Sequence, residues 1–264
     1  MDKIIHYCWF GGNPLPELAQ KCIASWKKYC PDYEIREWNE TNFDLECCRY
    51  VREAVQYQKW AFASDYARFK ILHQHGGLYF DTDVELVAPI DDIVAAGPFM
   101  GFEKHTKEAM VNPGLVMGAE PEMPFYKAVL EDYEKSSFLE NGEIRYYSVV
   151  ERVTALLKRQ GLRCDDQLQT VAGITVYPSE YFCPLSFDNA VMEQTEQTRS
   201  IHWYDASWLD APMKKRQKVS AAIRNRIPGA FGELICKCYL KLSYLWQWTV
   251  TGELFKKIAE RFNK

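Results

Sequence analysis

At 264 residues, with 47% apolar and 26% charged side chains, the chain has the make-up of an ordinary soluble protein, one large domain or one domain plus an appendage. The net charge of −4 hides an asymmetry: residues 211–264 carry twelve Lys/Arg against three Glu, +9, while residues 1–210 carry 20 Lys/Arg against 33 Asp/Glu, −13. That acidic majority argues against a nucleic-acid partner, and nine scattered cysteines without C-x-x-C or zinc spacing suit a reducing cytosol better than a disulfide framework.

Residues 4–10 read as a first strand, stopped by Gly11-Gly12-Asn13-Pro14, and too short for a signal peptide. A helix is expected from Glu17 to Tyr29, with Leu18, Cys22, Ile23 and Trp26 on one face, then a strand from Tyr33 to Trp38. A β-turn-α-β opening of this kind begins nucleotide-binding α/β domains, here without a G-x-G-x-x-G fingerprint. Residues 40–58 are less legible and are expected to hold a short helix with Val51 and Val55 inward.

The most informative stretch is 60–85. Apolar side chains at Phe62, Tyr66, Phe69, Ile71 and Leu72 predict one amphipathic helix, which His75-Gly76-Gly77 stops. Leu78-Tyr79-Phe80 is too short an apolar run for a helix and reads as a buried strand, with Asp81 and Asp83 where it should end. On an extended chain, residues two apart share a face, so both carboxylates can aim at one point with Thr82 turned away. Like charges that close need a positive partner, and a hard divalent cation, Mg²⁺ or Mn²⁺, is the natural one. Alone, an Asp-x-Asp reads as a solvated acidic turn. Behind a buried strand, and with Ser64, Asp65 and Arg68 one helix earlier, the cation reading is preferred.

Further on, Val84–Val87, Phe99–Glu103 and Ala109–Met117 read as strands, the last broken by Asn112-Pro113-Gly114, which suggests a bulge or a close backbone approach. Helices are expected over 124–135 and 148–160, and Thr170–Tyr177 is a β-rich run. In the stretch 200–208, His202 by itself reads as a packed core residue, but with the aspartates upstream a metal-ligand role is preferred; Ser207 and Trp208 can each donate to a phosphate. The basic segment 211–264 places Phe231, Leu234, Ile235, Cys238, Leu242, Leu245 and Trp246 on one helical stripe. A membrane-surface helix and a helix packed on its own domain remain equally open there. No uninterrupted apolar run is long enough for a spanning helix.

The run Ser64-Asp65-Tyr66-Ala67-Arg68, followed by Gly76-Gly77-Leu78-Tyr79-Phe80-Asp81-Thr82-Asp83, resembles the core of the DXD sugar-binding glycosyltransferases of family 32. These include yeast-type initiating mannosyltransferases, bacterial capsule and exopolysaccharide transferases and, more distantly, glucosylating clostridial toxins. The likeness covers roughly residues 3–120 and returns at 201–208. It implies a GT-A type fold, an α/β Rossmann-like mixed sheet flanked by helices over 1–210, with 211–264 as a C-terminal helical appendage. It implies a metal-dependent, retaining hexosyl transfer from a UDP- or GDP-sugar to a saccharide or lipid-linked acceptor. The setting it implies is bacterial capsule or other surface-glycan synthesis, in the cytoplasm or peripheral at the inner face of the membrane.

Residue by residue, the resemblance implies that Asp83 and His202 hold Mn²⁺ or Mg²⁺, with Asp81 touching the metal through water or the ribose. Arg68 would lie beside the phosphate and sugar, Asp65 would take hydrogen bonds from sugar hydroxyls, and Ser64 and Tyr79 would belong to the same donor site. Trp9, in the turn with Gly11 and Gly12, would stack on the base, although the residues alone leave a buried strand-end Trp equally open. Asn112 would meet the donor sugar, and Ser207 with Trp208 the phosphates. No enzymic nucleophile is assigned. Two other classes were weighed: a haloacid dehalogenase-like phosphatase, which would conscript Asp165-Asp166, and a non-catalytic metal-dependent carbohydrate-binding protein.

Overall fold

The computed structural model describes residues 1–103, 108–186, 191–205, 211–227 and 229–251. Two compact units divide the chain, one of Met1–Ser186 with Met192–Trp208 and the other of Phe187–Val191 with Leu209–Lys264.

The first unit opens with β1 (Ile4–Cys8), α1 (Glu17–Tyr29) and β2 (Glu34–Trp38), within a residue or two of expectation. Next come α2 (Arg49–Gln56), α3 (Trp60–His75), β3 (Gly77–Phe80) and β4 (Val84–Leu86). In α2, Val51 is buried and Val55 half-buried. The helix α3 departs from the one-sided pattern expected of it: Ala63, Asp65, Ala67 and Arg68 are buried along with the apolar stripe. The physical reason is that α3 lies between α2 and α5 (Pro124–Glu134) and also touches β1, β3 and β7 (Val116–Ala119), so little of its circumference meets water.

The remaining elements are α4 (Asp91–Ala95), β5 (Phe99–Glu103), β6 (Met110–Val111), β8 (Leu139–Glu140), β9 (Glu143–Ile144), α6 (Val149–Lys158), β10 (Gln169–Val171), β11 (Ile174–Tyr177), α7 (Ser179–Phe182) and β12 (Ser200–His202). One expectation is corrected here. The 109–117 run is not one strand: β6 pairs with β5, and β7 pairs with both β3 and β5, with the Asn112-Pro113-Gly114 break between them. The β-rich run 170–177 is present as a hairpin, because Ala172 and Gly173 both take left-handed backbone angles (φ 55° and 76°) and so turn β10 back on β11.

The main sheet runs β10-β11-β5-β7-β3-β1-β2. β1 is parallel to both of its neighbours, whereas β7 is antiparallel to β3 and β5, so the sheet is mixed. One apolar cluster contains Val51, Phe69, Tyr126 and Val153 from α2, α3, α5 and α6; the other contains Trp26, Ile93 and Phe182 from α1, α4 and α7. Helices therefore cover two separate cores, the α/β arrangement expected of a GT-A type domain. The chain leaves β1 through α1 for β2, and comes back through α2 and α3 for β3 on the other side. That reversal opens a crevice outside the carboxyl ends of β1 and β3, where ligands of open α/β sheets bind.

Trp26 pins one side of that crevice. Its indole N–H donates to the Val84 carbonyl at 2.7 Å, and its ring meets Phe80 edge-on at 5.2 Å. Trp26→Phe removes the bond and part of the ring volume, so a loss of about 1–3 kcal/mol is expected, read as a lower urea midpoint with unchanged far-UV circular dichroism.

Candidate active site

Asp81 follows the last residue of β3, and the chain folds there in a way that its extended-strand reading does not anticipate. The Val84 N–H donates to the Asp81 carbonyl at 3.0 Å, closing a tight turn over Thr82 and Asp83. The two carboxylates therefore converge through a turn and not through strand alternation. One ligand atom from each of Asp81, Asp83 and His202 lies within 4.8 Å of the other two.

Each carboxylate has its own basic partner. Asp81 Oδ1 pairs with Arg68 Nη2 at 3.1 Å and accepts from the Tyr79 hydroxyl at 3.2 Å. Arg68 Nη2 also meets Asp65 Oδ1 at 2.9 Å, its Nε donates to the Ser64 carbonyl at 3.3 Å, and its guanidinium lies 5.0 Å from the Tyr79 ring centre. Spacings of three and four residues on α3 thus bring Ser64, Asp65 and Arg68 to one place. The Ser64 hydroxyl itself donates back to the Trp60 carbonyl at 3.1 Å. Buried Arg68 Nη1 has no partner among the described residues.

Asp83 is met from the other side. β12 runs antiparallel to β4 with His202 opposite Val84, which sets His202 Nε2 3.1 Å from Asp83 Oδ1. The Asp205 N–H donates to Asp83 Oδ2 at 2.9 Å, and the Trp203 N–H to the Asp83 carbonyl at 2.9 Å. The His202 ring packs 4.2 Å from the ring of Tyr204, a residue in left-handed backbone (φ 52°). Buried His202 Nδ1 finds no partner among the described residues.

These surroundings split the two aspartates. Burial pushes the Asp81 carboxyl above its ordinary range, Arg68 opposes the rise and the charge on Asp83 adds to it. Burial acts on Asp83 too, but His202 and the Asp205 N–H outweigh it and hold Asp83 low. Burial would lower His202, yet the charge and hydrogen bond of Asp83 raise it instead. Asp65 is pushed up to about 6, chiefly by burial and against the pull of Arg68.

A third wall comes from the loop between β6 and β7. The Gly114 N–H donates to Asn112 Oδ1 at 2.6 Å, and the Asn112 amide donates to Glu103 Oε2. A β-carbon on Gly114 would collide with Asp81 Oδ2 and stand 3.3 Å from Arg68 Nη1, so the broken strand marks a close backbone approach. Asn112 is buried with both ends of its amide engaged in holding that loop.

The structure thus joins Ser64, Asp65, Arg68, Tyr79, Asp81, Asp83, Asn112 and His202. Trp9, Gly11 and Gly12 form a separate turn at the end of β1: the half-buried Trp9 donates through its indole to the Asn13 carbonyl at 2.6 Å. A β-carbon on Gly11 would lie 2.7 Å from Trp60 Nε1, so this turn meets the start of α3. A β-carbon on Gly12 would meet open space. Ser207 and Trp208 lie outside the described residues. Sequence reasoning missed Glu103 and Tyr204: the buried Glu103 carboxylate takes the Asn112 amide and bonds the Tyr204 hydroxyl, which also lies 2.9 Å from Cys183 Sγ. A charge closing the apolar strand Phe99–Glu103 was the available signal for the first; nothing local marked the second.

Comparison with known proteins bears on the same stretch. Residues 16–100 match the family described as the glycosyltransferase sugar-binding region containing a DXD motif, as the 64–83 pattern led us to expect. An uncharacterized glycosyltransferase of Acanthamoeba polyphaga mimivirus is 25% identical over 142 residues, covering 50% of this chain and 55% of that one. Inositol phosphoceramide mannosyltransferase 3 of Schizosaccharomyces pombe is 25% identical over 154 residues, covering 57% of this chain and 41% of that one. The chain therefore spans about half the length of the curated relatives it matches. Among solved structures, the PaToxG glycosyltransferase is similar at a TM-score of 0.46 and 17% identity, over 61% of this chain and 70% of that one.

Three outcomes follow, one for the protein alone and two for a divalent cation offered to this cluster. The His202–Asp83 pair contributes stability fully present below the ordinary histidine value of 6.5, and lost as pH rises through the raised folded value. A cation held by His202 would need the imidazole neutral, so with that ligand set Mn²⁺ affinity by calorimetry should run the opposite way, rising roughly tenfold per pH unit until the imidazole is deprotonated. Gly114→Ala should weaken Mn²⁺ binding at least about tenfold while the sheet stays folded, because its methyl would displace Asp81.

Proposed function

We propose that the chain is a metal-dependent, retaining glycosyltransferase that moves a hexose from a UDP- or GDP-sugar to a saccharide, free or lipid-linked. The observation that carries this reading is the convergence of Asp81, Asp83 and His202 at the carboxyl edge of the sheet, inside and just beside a glycosyltransferase sugar-binding region. Two carboxylates and an imidazole are a donor set for a divalent cation such as Mn²⁺ or Mg²⁺. The buried His202 Nδ1, which has no partner among the described residues, supports the fit, since it leaves a ligand nitrogen of the site unbonded. When bound there, the cation would act as a Lewis acid that neutralises charge growing on the departing diphosphate.

The chain's own residues supply the rest. Arg68 holds Asp65 and Asp81 with one nitrogen and keeps Nη1 for an oxygen of phosphate or sugar. Asp65, ionised at neutral pH, accepts from sugar hydroxyls and helps select the donor. Glu103 and Asn112 hold the Gly114 backbone against Asp81, so the carboxylates are placed before the donor arrives. Trp9 is the candidate platform for the base. The name of the yeast mannosyltransferase, with its inositol phosphoceramide acceptor, supports a hexose donor and a lipid-bearing acceptor here. Such an acceptor, in surface-glycan synthesis, would bring the chain to the inner face of the cell membrane.

The phosphatase reading loses its second acidic pair. Asp166 Oδ1 and Oδ2 accept from the Ser179 N–H and hydroxyl, both at 2.7 Å, and Asp165 is paired with Arg163 at 2.9 Å. Those are the bonds of a helix start and a surface ion pair.

The decisive test is a thermal-shift screen of UDP, GDP and their sugars with Mn²⁺ or with chelator. A ligand of the folded state at 100 times its dissociation constant stabilises by about 2.7 kcal/mol, enough to move the midpoint visibly. A metal-dependent shift with one base is expected, and no shift with any nucleotide in a protein that binds Mn²⁺ would remove the reading. In donor hydrolysis, Asp83→Asn should lower turnover by about 10²–10⁴, since it takes away charge stabilisation used in the transition state.

A further inference from the structure

The second unit is built around α8 (Ala211–Arg226) and α9 (Ala230–Thr251), and α9 presents its faces the opposite way from a helix packed for its own core. Turned towards α8 are Ser243, Tyr244 and Gln247. Arg216 of α8 is buried; its Nε donates to the Ser243 hydroxyl at 2.9 Å, its Nη2 to Gln247 Oε1, and its guanidinium lies 3.9 Å from the Tyr244 ring centre. Turned outward are Phe231, Leu234, Leu242, Leu245 and Trp246, exposed by 66%, 56%, 66%, 46% and 71%. At 3.6 residues per turn these five fall within an arc of about 120°. Rotating α9 to bury that arc against α8 would strip Arg216 of Ser243 and Gln247 and leave a buried guanidinium unpaired. The polar clasp therefore keeps the apolar face outward.

We infer that this face of α9 seats on an anionic phospholipid surface, with the apolar arc at the headgroup boundary and the surrounding cations on the phosphates. Charge argues for that occupant. Lys215, Lys218, Arg226, Lys237 and Lys241 are exposed, while the one acid among the described residues of the two helices, Glu233, is paired with Arg224 at 2.7 Å. A second copy is the poorer fit, because a two-fold contact through the arc would bring Lys237 and Lys241 against their own copies with no carboxylate between them. No helix among the described residues is long and apolar enough to cross a membrane, so α9 lies on the surface instead of spanning it.

The inference stands on the second unit and does not depend on the transferase reading. Its test is flotation of the full chain with vesicles of phosphatidylcholine alone or with phosphatidylglycerol, at low and high salt. Binding to the anionic vesicles, weakened by salt, is expected. The double variant Leu242→Glu, Trp246→Glu should lower partition about tenfold or more, with helix content and nucleotide-dependent thermal shift unchanged. Lys237→Glu, Lys241→Glu should weaken binding to anionic vesicles alone. Equal partition of the first double variant and the parent, or no partition of the parent, overturns the inference. So does a lipid-free dimer, seen by light scattering, that the same double variant dissolves. Nucleotide shifts retained in a chain that ignores vesicles would sink this inference and leave the transferase reading standing.

Discussion

The repulsion between Asp81 and Asp83 is the constraint that the rest of the site answers. Two carboxylates about 5 Å apart at an effective dielectric of about 20 oppose each other by roughly 3 kcal/mol, before any cost of burial. The fold meets this with a different basic side chain for each. Arg68 reaches Asp81 from a helix packed on both sides, and His202 reaches Asp83 from a two-stranded ribbon with β4. The Asp81 carboxyl nevertheless stays raised, chiefly by burial and in part by the charge on Asp83. A residual demand for positive charge at the mouth of a switch-point crevice is what gives the site its chemistry.

That answer draws on both halves of the sheet. β3 delivers the aspartates, the β6–β7 loop presses bare backbone against them, and Glu103 at the end of β5 ties that loop to Tyr204 beneath His202. The buried Glu103 carboxylate is shared by the nearby β6–β7 loop and by Tyr204 about a hundred residues later, which makes it a support for both walls.

How much of this is legible in the sequence depends on how local the cause is. The helix over Trp60–His75 and the strand after Gly76-Gly77 are written in apolar spacing and a glycine stop, and the Arg68–Asp65 pairing in helical periodicity. The burial of α3 all round is not, because it comes from α5 and β7, which arrive tens of residues later. His202 was readable as a partner of the aspartates only with the Asp-x-Asp upstream and the family likeness in view, since its antiparallel register with β4 has no local mark. The convergence of Asp81 and Asp83 was anticipated with the wrong backbone, a tight turn standing where alternation was expected. On α9 the apolar stripe was plain, but its direction was not; Arg216 sets it, through partners 27 and 31 residues away.

The bonds from Trp203 and Asp205 to Asp83 have a temporal meaning as well, because they close a loop of more than a hundred residues. On a ribosome, the acidic turn, Arg68 and β1 to β3 all emerge while the imidazole is still unmade. Until the chain reaches His202, the nascent domain shows an under-compensated negative point at an open sheet edge, with one wall of its receptor absent. The grouping of Asp81, Asp83 and His202 is therefore completed late in synthesis, long after the strand that bears the two acids has been laid down.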